Sequence, residues 1–181
     1  MYNQDEGNEY ERKMKCDCEC FFPGNWFRYR VGGIIISDGK MLFVKSNLGN
    51  YYYLIGGGVQ IGESSEESII RELQEEVGLL THVSYLSAVC ENFFTKAIDE
   101  NEHIMCHTLE LYYKVEIEDA TYLKTQTDLG EQLVWIPLKE ICNYNIKPSI
   151  IVKRVEDILN SNRVVHLIDK SDLKDSGNND L

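Results

Sequence analysis

The chain has 181 residues, of which 43% are hydrophobic, and this is enough for one domain with a hydrophobic core. Its net charge of −12 argues against duplex DNA or another nucleic acid polymer as partner, but a divalent cation can still join an acidic protein to a small phosphorylated ligand. Because the chain has neither a long apolar run nor an apolar signal segment in its polar N-terminus, we expect a cytoplasmic protein without membrane contact.

The six cysteines form no CxxC pair, and in a cytoplasmic protein we expect them to be reduced thiols. The segment CDCEC at 16–20 has two interpretations, a soft-metal site or plain thiols. We favour plain thiols, because zinc sites usually show wider ligand spacings and no histidine is near. Residues 1–20 as a whole are polar and predict an N-terminal arm.

The first half of the predicted domain is rich in strand signals. Two apolar runs flank Asp38-Gly39, a dipeptide typical of a tight hairpin. The segment YYYLI at 51–55 predicts a further strand, which the three glycines at 56–58 end. A helix over 64–77 follows, with Ser64 as N-cap, Glu67 completing a capping box and Gly78 in the left-handed C-terminal position.

The second half alternates strands with short connections. We expect strands over 82–94 and 107–117 with a polar loop at 95–103, then a strand over 131–138 and a turn or short helix at 139–142. A helix over 147–160, with Pro148 in its first turn, precedes a last strand over 164–169. The organisation predicted is therefore one domain over 21–169, with a mobile tail at 170–181.

The helix over 64–77 ends with three glutamates within five positions, Glu72, Glu75 and Glu76. Like charges at this spacing repel each other, and carboxylates are unfavourable near a helix C-terminus. Bound Mg²⁺ or Mn²⁺ would turn this repulsion into attraction, because both ions prefer oxygen ligands. The alternative is a solvated acidic face. Arg71 either pairs with Glu63 and fixes the preceding loop, or is an ordinary surface charge.

These residues carry a resemblance to a known family. Gly57, Glu63 and the segment RELQEEVGL at 71–79 fill every fixed position of the Nudix box, G-x5-E-x7-R-E-U-x-E-E-x-G-U, in which U is apolar. The box covers residues 57–79, about an eighth of the chain. The strands before the box and the segment 131–141 after it agree with a Nudix domain more loosely.

The resemblance implies an α/β fold, an α/β/α sandwich around a mixed sheet. It also implies hydrolysis of a nucleoside diphosphate linked to another group, with Mg²⁺ or Mn²⁺ as cofactor. By position in the box, Glu72, Glu75 and Glu76 would be metal ligands, and Gly56 or Gly57 would lend a backbone carbonyl. Glu63 and Arg71 would form an orienting salt bridge.

Two residues are candidates for the general base, Glu72 in the box and Glu131 on a later loop. Glu131 could instead be a further metal ligand or an exposed residue at a strand start, and Glu110 is a weaker candidate with uncertain facing. Arg28 and Arg30, on one face of a strand by alternation, could reach phosphates. Tyr53 could stack on a base or simply pack.

The function we expect is metal-dependent pyrophosphohydrolysis of a small nucleotide, either a nucleoside triphosphate or a nucleoside diphosphate derivative. A homodimer is left open. The first alternative is a Nudix domain that binds or senses a nucleotide without turnover. The second is an interaction protein whose acidic face only confers solubility, and for this protein a divalent metal would not change stability.

Overall fold

The computed structural model describes residues 16–78, 82–99, 102–117 and 123–173. These residues form eight strands, three α-helices and one 3-10 helix. The strands are β1 Glu19–Phe22, β2 Asn25–Ser37, β3 Lys40–Lys45, β4 Tyr52–Tyr53, β5 His82–Ala97, β6 His103–Glu116, β7 Gln132–Pro137 and β8 Val165–Asp172. The helices are α1 Ser65–Val77, the 3-10 helix Leu138–Asn143, α2 Ile150–Lys153 and α3 Val155–Asn160.

The eight strands form one mixed sheet. Its main path runs β4-β3-β2-β6-β5-β8, with β1 added to β2 and β7 added to β3. The pairs β2–β6 and β5–β8 are parallel, and the other strand pairs are antiparallel. The longest ladders join β2 to β6 and β6 to β5, so these three strands form the centre of the sheet.

Each face of the sheet has its own core, because neighbouring side chains of a strand point to opposite faces. Ile35 of β2 packs with Leu73 of α1, whereas its neighbour Ile34 packs with Ile151 and Ile158 of α2 and α3. Helices therefore cover both faces. The predicted α/β/α sandwich around a mixed sheet is confirmed.

Local sequence signals predicted α1 and the hairpin between β2 and β3 correctly. Ser64 accepts a hydrogen bond from the Glu67 amide, and the Glu67 carboxylate accepts one from the Ser64 amide, so the capping box is complete. Gly78 ends α1 with φ of 77°. Asp38 and Gly39 both have positive φ, 49° and 70°, as a two-residue hairpin between β2 and β3 requires.

Several predicted boundaries were wrong. Strands β5 and β6 extend into the expected polar loop at 95–103, β5 over 95–97 and β6 at 103. The expected strand at 51–55 is reduced to Tyr52–Tyr53. The expected helix at 147–160 is broken at Arg154, which has φ of −122°, and Pro148 precedes the N-cap instead of entering the first turn.

The expected arm at 1–20 and the expected tail at 170–181 each contain residues that belong to a strand, β1 and β8. Residues 1–15 of the expected arm lie outside the described residues, but Cys18 donates its amide to the Val59 carbonyl and β1 pairs with β2. Strand β8 continues to Asp172, within the expected tail, and residues 174–181 lie outside the described part. None of the described helices is long and apolar enough to cross a membrane. All six cysteines are free thiols.

Candidate active site

A cavity of about 920 Å³ is lined by residues of β2 and β6 and by residues of α1 and the loop before it. We call the side formed by Glu72, Glu76 and the loop 56–58 the helix wall. We call the side formed by Arg28, Arg30 and Glu110 on β2 and β6 the sheet wall. Other residues lining the cavity include Asp17, Trp26, Asn47, Leu48, Tyr51, Tyr53, Asn92, Phe94, Thr108, Leu129, Glu131 and Lys147.

The loop that precedes α1 is fixed to the helix by Arg71. Its Nη2 and Nε atoms donate to the two oxygens of Glu63 at 2.6 and 3.0 Å, and Nη2 also donates to the Gly58 carbonyl at 3.1 Å. Hydrogen bonding from Arg71 lowers the pKa of Glu63 to about 2. The predicted ion pair is therefore formed, and the alternative of a free surface arginine does not hold.

The remaining nitrogen of the Arg71 guanidinium, Nη1, binds two of the box glutamates. Nη1 of Arg71 donates to Glu72 at 2.7 Å and to Glu75 at 3.3 Å. Glu72 lines the cavity against Gly57, where a Cβ atom would overlap the Glu72 carboxylate. A side chain at this position would force that carboxylate to move. Glu75 is more exposed, at 44% of its side chain, and does not line the cavity.

The negative charge of Glu76 is in an unfavourable environment. It accepts a hydrogen bond from the Gly56 amide at 3.1 Å, next to a backbone that only glycine tolerates, with φ of 140°. Burial, together with the negative charges of Glu72 and Glu131, raises the pKa of Glu76 to about 7. A cation in the cavity would relieve this cost.

The predicted metal ligands are near one another but are not assembled into a metal site. Among the described residues, no group of three or more histidine, cysteine, aspartate or glutamate side chains is arranged to hold a metal ion. The Gly56 carbonyl accepts from Arg30 at 3.4 Å, and the Gly57 carbonyl accepts from the Val31 amide at 2.9 Å. The donor chemistry nevertheless fits Mg²⁺ or Mn²⁺, because hard carboxylate oxygens surround the buried Glu76.

Glu131 is buried, with only 8% of its surface exposed, so its interpretation as an exposed residue was wrong. One carboxylate oxygen accepts from the Tyr53 hydroxyl, and the other accepts from the Asn47 amide at 3.1 Å. Burial and this hydrogen bond raise the pKa of Tyr53. Glu131 therefore connects three separate segments at the cavity edge.

Arg28 and Arg30 lie on one face of β2, as alternation predicted. Arg28 pairs with Asp17 at 2.9 Å, and Arg30 lies 3.9 Å from Glu110, which is 5% exposed. The Nε atoms of both arginines are buried and have no hydrogen-bond partner among the described residues. The sheet wall therefore holds two cations with unused donors, a suitable environment for phosphate oxygens.

Sequence reasoning missed two residues that line the cavity, Trp26 and Asn92, and left the facing of Glu110 open. Glu110 accepts from Thr108 at 2.7 Å, from Tyr112 at 3.1 Å and from Asn92 at 3.3 Å. Alternation could have placed Trp26 on the face of Arg28 and Arg30. The position of Asn92 depends on the pairing of β5 with β6, which no local signal indicates.

A family model described as the NUDIX domain matches residues 26–154, which is most of the chain. The chain belongs to the Nudix family. This match includes the whole box and both walls of the cavity, whereas β1 lies before it.

Curated relatives share shorter stretches with this Nudix chain. A stretch of 62 residues is 40% identical to an ADP-ribose pyrophosphatase of Methanocaldococcus jannaschii, covering 33% of this chain and 37% of that protein. A stretch of 63 residues is 41% identical to an RNA pyrophosphohydrolase of Acinetobacter baylyi, covering 34% and 38%. The matched part therefore spans little more than a third of either relative.

Solved structures show the same Nudix fold over most of the chain. The crystal structure of a MutT protein from Methanosarcina mazei has a TM-score of 0.58 at 18% identity, covering 76% of this chain and 96% of that one. A MutT protein from Bacillus halodurans has a TM-score of 0.53 at 20% identity, covering 77% and 86%. At these identities the likeness concerns the fold alone.

Proposed function

We propose that this Nudix protein is a divalent-metal-dependent pyrophosphohydrolase that cleaves the diphosphate linkage of a small nucleotide. The substrate would be a nucleoside triphosphate or a nucleoside diphosphate derivative. The observation that carries the proposal is the pairing of opposite charges across one cavity. The carboxylates Glu72 and Glu76 line the same cavity as the cations Arg28 and Arg30.

Glu72, Glu76 and, after rotation away from Arg71, Glu75 would hold Mg²⁺ or Mn²⁺. When bound, the metal would neutralise phosphate charge and lower the pKa of an attacking water. The raised pKa of Glu76 supports this assignment, since a buried carboxylate beside other carboxylates is stabilised by a cation. The fixed pair of Arg71 and Glu63 would keep the ligands in place.

The chain itself supplies orientation, charge and proton transfer. Arg28 and Arg30 would bind the phosphate oxygens and hold the linkage against the helix wall. Glu72 or Glu131 would accept the proton of the attacking water as general base. Glu72 has fewer hydrogen-bond partners than Glu131, whose two oxygens bind Tyr53 and Asn47, and we therefore favour Glu72.

One observation favours a second candidate, nucleotide binding without turnover. Arg71 holds both Glu72 and Glu75, and the described carboxylates are not arranged as a complete metal site. If these contacts persist in solution, the sheet wall would still bind phosphates. The experiment below separates the two candidates.

The test is hydrolysis of a nucleotide panel with Mg²⁺, Mn²⁺ or EDTA: dNTPs, NTPs, ADP-ribose, NADH, nucleotide sugars and diadenosine polyphosphates. We expect metal-dependent release of monophosphates or pyrophosphate from one class. Glu76→Gln should abolish most of this turnover, whereas Glu66→Gln, an exposed change on the same helix, should not. Binding without turnover of any member, in a folded protein, would favour the second candidate.

A further inference from the structure

The cavity has an arginine beside an aromatic ring at two separate places. The guanidinium of Arg30 lies 6.0 Å from the ring centre of Tyr53, and that of Arg28 lies 5.9 Å from the ring centre of Trp26. All four residues line the cavity. The same combination, a cation for phosphate and a ring for stacking, therefore occurs twice along one cavity.

The two pairs lie at opposite ends of the cavity. Trp26, Arg28 and Arg30 follow each other along one face of β2, and four strand residues span about 13 Å. Tyr53 extends the row beyond Arg30, because the segment 55–59 runs antiparallel to β2 and leads back to β4. The order along the cavity is thus Tyr53, Arg30, Arg28, Trp26, with the charges between the rings.

The Trp26 end is built by the hairpin of β1 and β2. Phe21 stacks on Trp26 with ring centres 5.8 Å apart and an angle of 12° between the rings. The indole N–H donates to Glu19 at 2.9 Å, which fixes the ring, and the Lys96 ammonium lies 5.4 Å from the ring centre. Phe21 and Glu19 precede the region that matches the Nudix family model.

A second aromatic residue faces Trp26 across β6. The register places Trp26, Cys106 and Phe94 in one row on three adjacent strands. Strand spacing puts the backbones of the two outer residues about 9 to 10 Å apart, with the small Cys106 between them. A planar ring entering this end would meet an aromatic side chain on either side, in the distance range of aromatic pairs.

The Tyr53 end is also apolar and aromatic. The ring of Tyr51 lies 6.2 Å from that of Tyr53, and Leu48 and Leu129, which are 90% and 82% exposed, line the cavity there. The volume of about 920 Å³ is near the upper end of the roughly 300 to 1,000 Å³ usual for small-molecule sites. A mononucleotide would leave one of the two ends empty.

We propose that the substrate carries a ring-bearing nucleoside at each end of its phosphate bridge, as a dinucleotide does. One ring would stack at Trp26 and Phe94 and the other at Tyr51 and Tyr53, with the bridge between Arg28 and Arg30. This inference rests on the proposed function and names its substrate class. The oxygen of water would bond to one bridge phosphorus, the bridging oxygen would leave with the electron pair of its broken bond, and a carboxylate would take the water proton. Two nucleoside monophosphates would result.

The test compares NADH with ADP-ribose, a matched pair in which only NADH has a second base, the nicotinamide, whereas ADP-ribose ends in a ribose. We expect kcat/KM to be roughly tenfold higher for NADH, as one stacked base contributes. Trp26→Ala should lower this preference by a similar factor, mainly through KM for NADH, and Phe94→Ala should act in the same direction. Trp26→Phe, which keeps a ring, should retain most of the preference.

The matched control is Phe22→Ala on the same hairpin, because Phe22 is 63% exposed and does not line the cavity. Equal efficiency with NADH and ADP-ribose would overturn the two-ring substrate, while metal-dependent turnover would still support the hydrolase. If Trp26→Ala lowers both substrates equally, the adenine stacks there, and Tyr51→Ala should then remove the preference for NADH. A preference that survives both changes would overturn the proposal. If no nucleotide is turned over, calorimetry with Mg²⁺ decides instead. Tighter binding of NADH than of ADP-ribose, lost in Trp26→Ala, would support the proposal, and equal affinities would overturn it.

Discussion

The helix wall of the cavity is held by contacts between residues close in the chain, whereas the sheet wall is held by pairing between distant strands. Arg71 joins Glu63, Glu72 and Glu75, all within thirteen positions of the box. Arg30 instead meets Glu110, which the parallel pairing of β2 with β6 brings opposite. Under the proposed function, the helix wall would supply the groups for chemistry and the sheet wall those that bind substrate, so we expect changes in the two walls to have different kinetic effects.

The largest effect is expected from the helix wall. Glu72→Gln removes the charge of a cavity carboxylate with almost no change in shape, so kcat should fall roughly 10²- to 10⁴-fold, the range typical of acid–base groups. Steady-state kinetics with Mg²⁺ on the best substrate would measure it, beside the exposed Glu66→Gln. Near-normal kcat in folded Glu72→Gln would remove Glu72 from the mechanism.

A smaller effect, in a different constant, is expected from the sheet wall. Arg30→Lys keeps a positive charge beside the buried Glu110 but loses the forked donors of the guanidinium. KM should rise roughly tenfold, the loss of one hydrogen bond to a charged group, while kcat changes much less. The comparable change Arg154→Lys, at the break between α2 and α3 and away from the cavity, should leave both constants unchanged. A fall in kcat without a change in KM would contradict the division between the walls.

A third effect, outside the kinetic constants, concerns stability without metal. The pKa of Glu76 is about 7 in the fold against about 4.5 in the unfolded chain, so the folded state binds the proton more tightly. The resulting stabilisation is complete below about pH 4.5 and is lost as pH rises through 7, by about 3 kcal/mol.

Thermal melting in EDTA between pH 5 and 8 would measure this loss. Glu76→Gln should flatten the dependence of Tm on pH, and Glu66→Gln should keep the slope of the unchanged protein. If Glu76→Gln and the unchanged protein lose stability in parallel, another group is responsible.

The helix wall was largely predictable because its determinants are local. Ser64 and Glu67 cap one end of α1, and Gly78 ends the other. The ion pair of Glu63 with Arg71 joins residues eight positions apart. Local hydrogen bonds therefore decided both the helix and its ion pair. The sequence did not indicate that Arg71 would hold Glu72 and Glu75 at once, because this depends on side-chain rotamers.

The sheet wall was predictable only within single strands. Alternation placed Arg28 and Arg30 on one face, but nothing local specifies that Arg30 pairs opposite Glu110, eighty positions later. The sequence left open whether Glu131 is a general base, a metal ligand or an exposed residue at a strand start, because its partners, Tyr53 and Asn47, approach it only after β7 pairs with β3. The polar ends of β5 and β6 were predicted as a loop, because exposed strands and loops have similar compositions.

Gly57 has an evolutionary consequence. Every single-nucleotide missense change in a glycine codon introduces a Cβ atom, and at this position that atom would displace the Glu72 carboxylate. The backbone at Gly57 has an ordinary conformation, so such a mutant would fold, and Arg28 and Arg30 would keep their places. If the proposed function holds, one mutational step therefore separates a hydrolase from a protein that only binds its nucleotide.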